Sequence, residues 1–462
     1  GASWSALAVS LQTGDTLFME GADVRLAPAS NVKLLTTAAA FHHLGSDFRF
    51  GTYVLSRAAP SGGVVDGDII LFGTGDPSLS GRFTRGSPEP LAALADELVA
   101  QGITRIRGDL VADGSFLNGP GRSPEWPVDD LDDWYSAPVS GLSFNENLVT
   151  LRTTPALAPG GPPVVSIVPE VGQEHILNEA TTRPGRGRPD LVITRTEYDG
   201  PIRVVGSISS AQRPIWKRMT VTDPTRFAGQ AFLGILAERG IRIDGALNVV
   251  SDPEGSPLRA AGFTPTDSAG FLHTLATYEG PPLRDYLEVV NRTSHNFFAE
   301  SVFKTLGRVV AGRGTFNGGR IAVDQFLSTT AGVPPDHVLL RDGSGLSPRN
   351  EASASAFVRL LTWMVHSDHE EEFKSTLPVA GQRRGLGRMY RTAAAGNLRA
   401  KTGTIERVSA LSGYVTARNG EEIAFSVISN GIRSPSQAKR LEDQLAVALA
   451  NWSGGPISPG VE

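Results

Sequence analysis

An apolar stretch near the start of the chain predicts a buried helix that the rest of the fold must enclose. Its apolar residues recur near helical spacing, no proline interrupts residues 29–44, and Gly45 stands where a left-handed C-terminal cap would sit. These residues are Val32, Leu35, Ala39 and Leu44. We therefore predict a buried helix over residues 31–44.

This helix would place a serine and a lysine together at its N-terminus. Ser30 lies where unpaired backbone N–H groups and the positive end of the helix dipole favour an anion, so an oxyanion formed there would be stabilised. Lys33 follows three residues later and shares a helix face with Ser30. Burial would lower the pKa of Lys33 and let it accept the serine proton, which gives an activated nucleophile without histidine.

A Ser-x-x-Lys box also occurs by chance, and serine is a common helix cap, so the box needs support from elsewhere in the chain. Two further stretches give it. One is Ser294–Asn296, a Ser-x-Asn box, and the other is Lys401–Thr404, a Lys-Thr-Gly box followed by the strand-like run Val408–Tyr414. The three boxes occur in the order found in class A β-lactamases and penicillin-binding proteins.

With these boxes the sequence resembles the penicillin-recognising serine acyltransferases. The long interval between Ser30 and Ser294 is similar to that of the class C low-molecular-mass penicillin-binding proteins, peptidase family S13. Other stretches extend the resemblance over nearly the whole chain: Gly73–Leu79, Tyr135–Ala137, Asp342–Ser347, Leu377–Gly381 and Ser409–Tyr414. The resemblance implies a D-alanyl-D-alanine carboxypeptidase or endopeptidase that acts on peptidoglycan peptides, is acylated by β-lactams and is exported to the periplasm or cell envelope.

Composition excludes several other classes. The chain has 462 residues, enough for about three domains, and its 40% hydrophobic and 20% charged fractions are those of a globular protein without a membrane-spanning run. A net charge of -5 without a long basic tract argues against a nucleic-acid partner. Without cysteine there are no disulfides or thiolate metal sites, and the histidines lack metal-ligand spacing, so we expect no metal or organic cofactor.

The pattern of elements changes twice along the chain. Near Thr52 it turns to short strands and Gly/Pro-rich turns, and a helical period resumes near Thr266. We predict an α/β multidomain fold with a transpeptidase-like catalytic domain, a sheet between helices, and two nested β-rich insertions, the nesting being implied by the resemblance. The predicted domains are residues 1–52 with 266–462 (catalytic), residues 53–80 with 155–265 (inserted), and residues 81–154 (nested in the insertion).

The resemblance assigns a role to each box. Ser30 is the expected nucleophile and Lys33 its base, and Ser294 relays a proton to the leaving amine. Asn296 hydrogen-bonds a substrate amide. Lys401 supplies positive charge for the terminal carboxylate of the substrate and tunes Ser294.

The strand that follows Lys401 is expected to hold the peptide. Thr402, Gly403 and Thr404 would pair with the extended substrate backbone. The backbone N–H groups of Ser30 and Thr404 are the expected oxyanion hole.

We further predict a pocket that reads the substrate side chain, between residues 126–135 and residues 344–349. Wall peptides carry a charged diamino residue. A pocket selective for it should offer a carboxylate for its ammonium group and a cation for any free carboxylate. The candidates are Trp126, Asp129, Asp130, Tyr135, Ser344, Leu346 and Arg349. In family members with such a pocket an arginine can directly follow Gly-Leu-Ser, whereas here Pro348 intervenes before Arg349. The alternative is an acidic solvated loop and an unrelated arginine.

Two alternative functions share these boxes. A serine β-lactamase would also be acylated at Ser30 but would release the adduct quickly, and it has no need of a large insertion. A non-catalytic penicillin-binding sensor would keep the fold, but the intact Ser30, Lys33 and Lys401 argue against it.

Overall fold

The chain forms two units, each with its own dense internal packing. The first comprises Gly1–Arg49, Ser123–Trp126 and Pro281–Glu462, and the second comprises Phe50–Arg122 and Pro127–Gly280. The structure, a computed structural model, describes residues 1–84, 89–171, 175–195, 197, 200–259, 262, 272–383 and 385–455.

The helices follow the apolar periodicity of the sequence, and several begin at proline or at a serine, threonine or aspartate cap. Their bounds are Val32–Leu44 (α1), Pro90–Ala100 (α2), Pro224–Glu238 (α3), Leu283–Arg292 (α4), Asn296–Ala311 (α5), Phe316–Thr329 (α6), Ala354–Val365 (α7), Glu370–Thr376 (α8) and Pro435–Asn451 (α9).

The strands are mostly short, as their frequent glycine and proline turns predict. Their bounds are Ser3–Ser10 (β1), Thr16–Glu20 (β2), Gly51–Ser56 (β3), Val64–Val65 (β4), Ile69–Gly73 (β5), Arg105–Ile106 (β6), Leu110–Asp113 (β7), Leu148–Thr154 (β8), Val164–Val168 (β9), Ile176–Asn178 (β10), Thr181–Arg183 (β11), Asp190–Arg195 (β12), Ile202–Ser209 (β13), Ile215–Thr220 (β14), Arg242–Ile243 (β15), Leu247–Val250 (β16), His273–Glu279 (β17), Val338–Leu339 (β18), Glu351–Ala352 (β19), Arg399–Ile405 (β20), Val408–Thr416 (β21) and Glu422–Asn430 (β22).

A five-stranded antiparallel sheet in the order β2-β1-β22-β21-β20 forms the centre of the first unit. Helices cover both of its faces. Leu411 and Val415 belong to one apolar cluster with Leu449 of α9, whereas Tyr414, on the opposite face of the same strand, donates its hydroxyl to the Leu361 carbonyl of α7 at 2.8 Å. This sheet between helices confirms the α/β fold class expected for the catalytic domain.

Helix α1 is buried along most of its length in the first unit. Every residue from Val32 to Phe41 is buried, and the helix packs against α4, α5, α6, α7 and α8. It ends at Gly45, whose φ of 79° is accessible to glycine at little cost. The helix predicted over residues 31–44 is therefore confirmed, with a short 3-10 turn, Ala29–Asn31, leading into it.

The second unit contains four sheets and two helices within the described residues. Strands β3, β5, β7, β16 and β17 form one sheet in the order β16-β7-β5-β3-β17, and β15, β6 and β4 form a small parallel one. Helices α2 and α3 pack against the larger of these two sheets. Strands β8 to β14 form the other two sheets and pair only with one another among the described strands.

These pairings correct the predicted inner domain boundaries. The boundary at residues 80/81 separates β5 from β7, but the two strands pair in parallel through the crossover helix α2, so they belong to one sheet. The boundary at 154/155 separates β8 from β9, which pair directly. A nested domain stays a prediction, and it requires bounds closer to Leu148–Thr220.

The outer boundaries also shift. The predicted division at 52/53 falls inside β3, and the first unit ends at Arg49. The predicted division at 265/266 lies outside the described residues, and the return to the first unit is at Pro281.

No helix among the described residues is long and apolar enough to cross a membrane.

Candidate active site

Ser30 lies in the 3-10 turn that leads into α1, between the strained residue Ala29 and the anchoring residue Asn31. Ala29 has a φ of 47°, a left-handed conformation that costs a non-glycine residue free energy and is typical of functional sites. Asn31 anchors the turn to the sheet, because its Nδ2 donates to Ser412 Oγ at 2.7 Å. The turn is thus fixed before any substrate binds.

Lys33 is fully buried, and its Nζ has three oxygen neighbours. They are Ser30 Oγ at 3.0 Å, Asn296 Oδ1 at 2.7 Å and the Ser344 carbonyl at 2.6 Å. A neutral amine would donate to the last two and use its lone pair to accept the proton of Ser30. The geometry therefore suits Lys33 as the base that activates Ser30.

Burial lowers the pKa of Lys33 to about 7, against the opposing attraction of the Glu300 and Asp342 carboxylates. A base with a pKa near neutrality is both available and strong enough to take a proton at pH 7.

Glu300 holds the loop that carries the Ser344 carbonyl. It lies one turn after Asn296 on α5, is fully buried, and accepts hydrogen bonds from the backbone N–H groups of Gly343 and Ser344 at 2.9 and 2.8 Å. Burial raises the pKa of Glu300, and the nearby Asp342 carboxylate adds to this rise. Helix α5 therefore supplies both a ligand of Lys33 and the anchor of the loop.

Asp342 folds that loop around its own carboxylate. It accepts hydrogen bonds from the N–H groups of Gly345 and Ser347 at 2.7 and 2.6 Å and from the side chains of Asn350 and Trp126 at 2.9 Å each. Burial raises the pKa of Asp342, while these donors oppose the rise. All four donors favour the charged carboxylate, and together they hold the loop around Asp342.

Gly345 brings this loop against the nucleophile turn. Its φ is 81°, and a Cβ there would lie 1.9 Å from the Ala29 carbonyl oxygen and 3.0 Å from Ser30 N. No side chain fits this contact, so the position requires glycine for its conformation and for its space.

Ser294 and Lys401 form a second pair. Lys401 Nζ lies 2.9 Å from Ser294 Oγ and 2.8 Å from the Thr402 carbonyl. Burial lowers the pKa of Lys401 well below its usual range, and the charge of Lys33 adds to this lowering. Ser294 itself has a φ of 56°, a left-handed conformation like that of Ala29 in the nucleophile turn.

Strand β20 lies directly against the nucleophile turn. A Cβ at Gly403 would come 2.5 Å from the Pro28 carbonyl and 3.2 Å from Asn31 N. Lys401 pairs across the strands with Ser412, so both side chains point to the face of the sheet on which Asn31 is anchored. The three motif boxes thus converge in the first unit.

The residues predicted for a side-chain pocket have other contacts. Trp126 is 4% exposed and donates its indole N–H to Asp342, and Leu346 is also buried. Ser344 is buried and positions Lys33 through its carbonyl. Trp126 and Ser344 therefore support the loop in this structure, and their role as pocket lining stays a prediction.

The charged members of the predicted pocket are partly engaged. Arg349 forms an ion pair with Glu125 within the first unit, with Nη1 and Oε2 2.6 Å apart. In the second unit, the hydroxyl of Tyr135 donates to Asp130 at 2.9 Å, and Asp129 is exposed in the same short turn.

Sequence reasoning missed the carboxylates that surround Lys33. Glu300 lies four residues after Asn296, inside the apolar run of α5. An acid within such a run indicates a buried carboxylate with partners, so the sequence did contain a signal for it. Lys304, one turn further, is fully buried too, and burial lowers its pKa to about 7 while the charge of Glu300 opposes this. Asp342 begins the stretch Asp342–Ser347, but nothing in its spacing indicates its partners.

Comparison with known proteins identifies the family. The profile of the D-Ala-D-Ala carboxypeptidase 3 (S13) family matches residues 1–452. The chain belongs to this family. A D-alanyl-D-alanine carboxypeptidase from Actinomadura sp. (strain R39) is 34% identical over 472 residues, which cover 100% of this chain and 83% of the relative. D-alanyl-D-alanine carboxypeptidase DacB from Haemophilus influenzae is 27% identical over 409 residues, which cover 87% of this chain and 80% of the relative.

Solved structures agree on the fold. The crystal structure of penicillin binding protein 4 (dacB) from Haemophilus influenzae has a TM-score of 0.82 at 24% identity and covers 98% of this chain and 97% of that one. The same protein complexed with a novel β-lactam has a TM-score of 0.76 at 23% identity, with the same coverage. The resemblance inferred from the three boxes is therefore confirmed, as is the multidomain α/β fold class.

Gly345→Ala is expected to slow acylation of Ser30 by penicillin by about a hundredfold, because a displacement of about 1 Å at a reacting group has effects of that size. The rate can be followed by mass spectrometry of the penicilloyl adduct. Gly420→Ala is the matched control, since Gly420 has a φ of 88° but open space around its Cβ. Equal effects of the two substitutions would mean that backbone strain alone is responsible and that the close contact has no role.

Proposed function

We propose that this protein removes the terminal D-alanine of peptidoglycan stem peptides through an acyl-enzyme formed on Ser30. The observation that carries the proposal is the buried Lys33, whose Nζ lies 3.0 Å from Ser30 Oγ and whose pKa is lowered to about 7 by burial. Membership of the D-Ala-D-Ala carboxypeptidase 3 family supports the reaction and its substrate class.

Acylation begins when neutral Lys33 takes the proton of Ser30 while Oγ attacks the carbonyl between the two D-alanines. Collapse of the tetrahedral intermediate breaks the C–N bond and releases D-alanine, which takes a proton from Ser294. Water then attacks the ester carbonyl and gives a proton to Lys401 through Ser294, which restores the proton lost in acylation. Lys33 returns its proton to Ser30 Oγ as the ester bond breaks and the shortened peptide leaves.

Lys401 has two roles in this scheme. It lies 2.9 Å from Ser294 Oγ, so it can replace the proton that Ser294 gives up. Burial lowers the pKa of Lys401, and the terminal carboxylate of a bound peptide would raise it again. A bound substrate therefore favours the charged form of the lysine that holds it.

The oxyanion hole is assigned to the backbone N–H groups of Ser30 and Thr404. The close approach of Gly403 to the nucleophile turn supports this assignment, since it leaves no room for a side chain between the strand and the turn. Thr402, Gly403 and Thr404 lie on β20, the last strand of the central sheet. The start of this strand pairs with Val379, but no described strand pairs with its outer edge at these three residues, so an extended peptide could pair there.

We also propose that β-lactams acylate Ser30, because their reactive carbonyl is attacked in the same way and a relative of the same fold is known in a β-lactam complex. A substrate in the cell wall requires that the protein act outside the cytoplasm, in the periplasm or cell envelope. Slow release of the penicilloyl adduct would distinguish this enzyme from a β-lactamase, and D-alanine release would distinguish it from a sensor.

Ser30→Ala is expected to abolish both D-alanine release and penicillin labelling, because it removes the nucleophile. Lys33→Ala should slow acylation by about 10² to 10⁴, the usual effect of losing an acid or base group. Lys439→Ala, which removes a lysine outside the site, serves as control. A penicilloyl adduct on the Ser30→Ala protein would refute the assignment, and acylation of Lys33→Ala within tenfold of the parent would give Lys33 a structural role only.

The rate of acylation is expected to rise with pH through a midpoint near 7, because Lys33 acts as a base only after it loses its proton and its pKa is about 7. Glu300→Gln should move this midpoint to lower pH, since the Glu300 carboxylate raises the pKa of Lys33. Glu238→Gln, an exposed acid of the second unit, should leave it unchanged. A rate independent of pH between about 6 and 8 would exclude Lys33 as the base.

The roles proposed for Asp129, Asp130 and Arg349 stay predictions. If the acids read the ammonium of a diamino residue, the parent should release D-alanine faster from a peptide with a free amine than from its acetylated form. Asp129→Asn should narrow this difference more than Asp130→Asn, because Asp130 already accepts a hydrogen bond from Tyr135. Glu125→Gln should strengthen any preference for a free carboxylate, since it releases Arg349. If the parent releases D-alanine from both peptides at equal rates, Asp129 and Asp130 do not bind the ammonium of the diamino residue.

A further inference from the structure

One face of the three-stranded sheet β14-β8-β9 carries side chains that the proposed reaction does not use. The other face of this sheet belongs to the core of the second unit, where Val149, Leu151 and Met219 are buried. Because side chains alternate along each strand, the outward face consists of the residues between them. We call the outward residues Thr150, Arg152, Val164, Ser166, Val168, Trp216 and Arg218 the Trp216 face.

Trp216 is the most prominent residue of this face. Its side chain is 57% exposed, although tryptophan is usually among the more buried residues of a protein. It pairs across the strands with Arg152, which in turn pairs with Ser166. The guanidinium carbon of Arg152 lies 5.5 Å from the ring centroid of Trp216, so the cation and the ring lie side by side in solvent.

A second pair of the same kind lies on the neighbouring row. Arg218 is two residues after Trp216 on the same strand and face, and its guanidinium carbon lies 4.7 Å from the ring centroid of Trp134. On the far strand, Val164 and Val168 are 62% and 49% exposed. The face thus combines aromatic rings, aliphatic groups and two cations on one flat surface.

The charge of this face is opposite to that of the chain. The protein has a net charge of -5, but the outward residues of the three strands include two arginines and no acid. The acids beside Trp134, Asp132 and Asp133, contact the Met219–Thr220 end of β14, which is the end opposite to Trp216. Neither Arg152 nor Arg218 forms an ion pair with a carboxylate of the described residues. Such a surface attracts an anion that also has an apolar side.

We infer that the Trp216 face binds a glycan strand of peptidoglycan, with sugar rings packed on Trp216 and Trp134 and carboxylates of the wall polymer paired with Arg152 and Arg218. One face of a pyranose ring presents C–H groups, which pack on an aromatic ring, and arginine binds carboxylates through two parallel hydrogen bonds. The proposal rests on the proposed function, because it takes the wall polymer as the substrate.

Binding at this face would raise the rate of hydrolysis of polymeric substrate and leave the hydrolysis of small soluble peptides unchanged. A soluble peptide has no sugar rings, so its hydrolysis depends on the first unit alone, where all the motif boxes lie. A sugar polymer held by the second unit would instead raise the local concentration of stem peptides.

The test is binding of Ser30→Ala protein to purified, insoluble peptidoglycan, measured by co-sedimentation, so that catalysis does not enter. Trp216→Ala and Arg152→Gln are each expected to weaken binding by about tenfold, and Trp216→Phe should retain most of it because a ring remains. Val192→Ala and Arg226→Gln are matched controls, an exposed apolar residue and an exposed arginine of the second unit outside this face. Binding of the parent should also fall with salt, and less so for Arg152→Gln.

The same substitutions in the active enzyme should leave penicillin acylation and D-alanine release from a soluble pentapeptide within twofold of the parent. Wall binding that is equal in the parent and in Trp216→Ala overturns the proposal. So does a Trp216-dependent dimer in analytical ultracentrifugation, which would make the face a contact between copies. If the parent neither releases D-alanine nor reacts with penicillin, the proposed function fails, and the binding result still reports on the face independently.

Discussion

The burial of one lysine amine is the condition on which the rest of the first unit depends. An isolated ammonium in a protein interior costs several kcal/mol, so Lys33 needs either partners for its charge or a neutral form. The protein supplies both in balance: oxygen partners from three separate segments, and the more distant carboxylates of Glu300 and Asp342. Without these acids the pKa of the buried lysine would fall further. With a carboxylate in direct contact the pKa would be higher, and the lysine would stay charged and act poorly as a base.

This balance explains why so much of the surrounding structure is rigid. The carbonyl that contacts Lys33 belongs to a loop fixed by Asp342 and Glu300, and the amide oxygen belongs to the first residue of α5. The strained backbone at Ala29 and Ser294 costs about 1 to 3 kcal/mol each and persists only where the surroundings impose it. The free energy gained by burying α1 offsets these costs. The same packing fixes the position of Ser30.

Much of this site could be predicted from local sequence. The helix after Ser30 has its own periodicity and end signals, and the hairpin between β21 and β22 turns at Gly420, whose φ of 88° favours glycine. The three boxes have a meaning together that none has alone. What could not be predicted depends on side-chain direction and on strand pairing at a distance. Nothing local indicates that Trp126 turns inward to Asp342, or that β7 returns past α2 to pair with β5.

The first unit is assembled from distant parts of the chain, and this sets an order of events during synthesis. Strand β1 is interior to the central sheet and pairs on one side with β22, which ends at Asn430. Until those last strands have left the ribosome, β1 has an open edge and the segments that enclose Lys33 have no sheet to pack on. The second unit, complete by Gly280, has no such delay. A nascent chain therefore carries an ordinary solvated lysine beside an ordinary serine, and the reactive pair exists only once the chain has been made as far as Asn430.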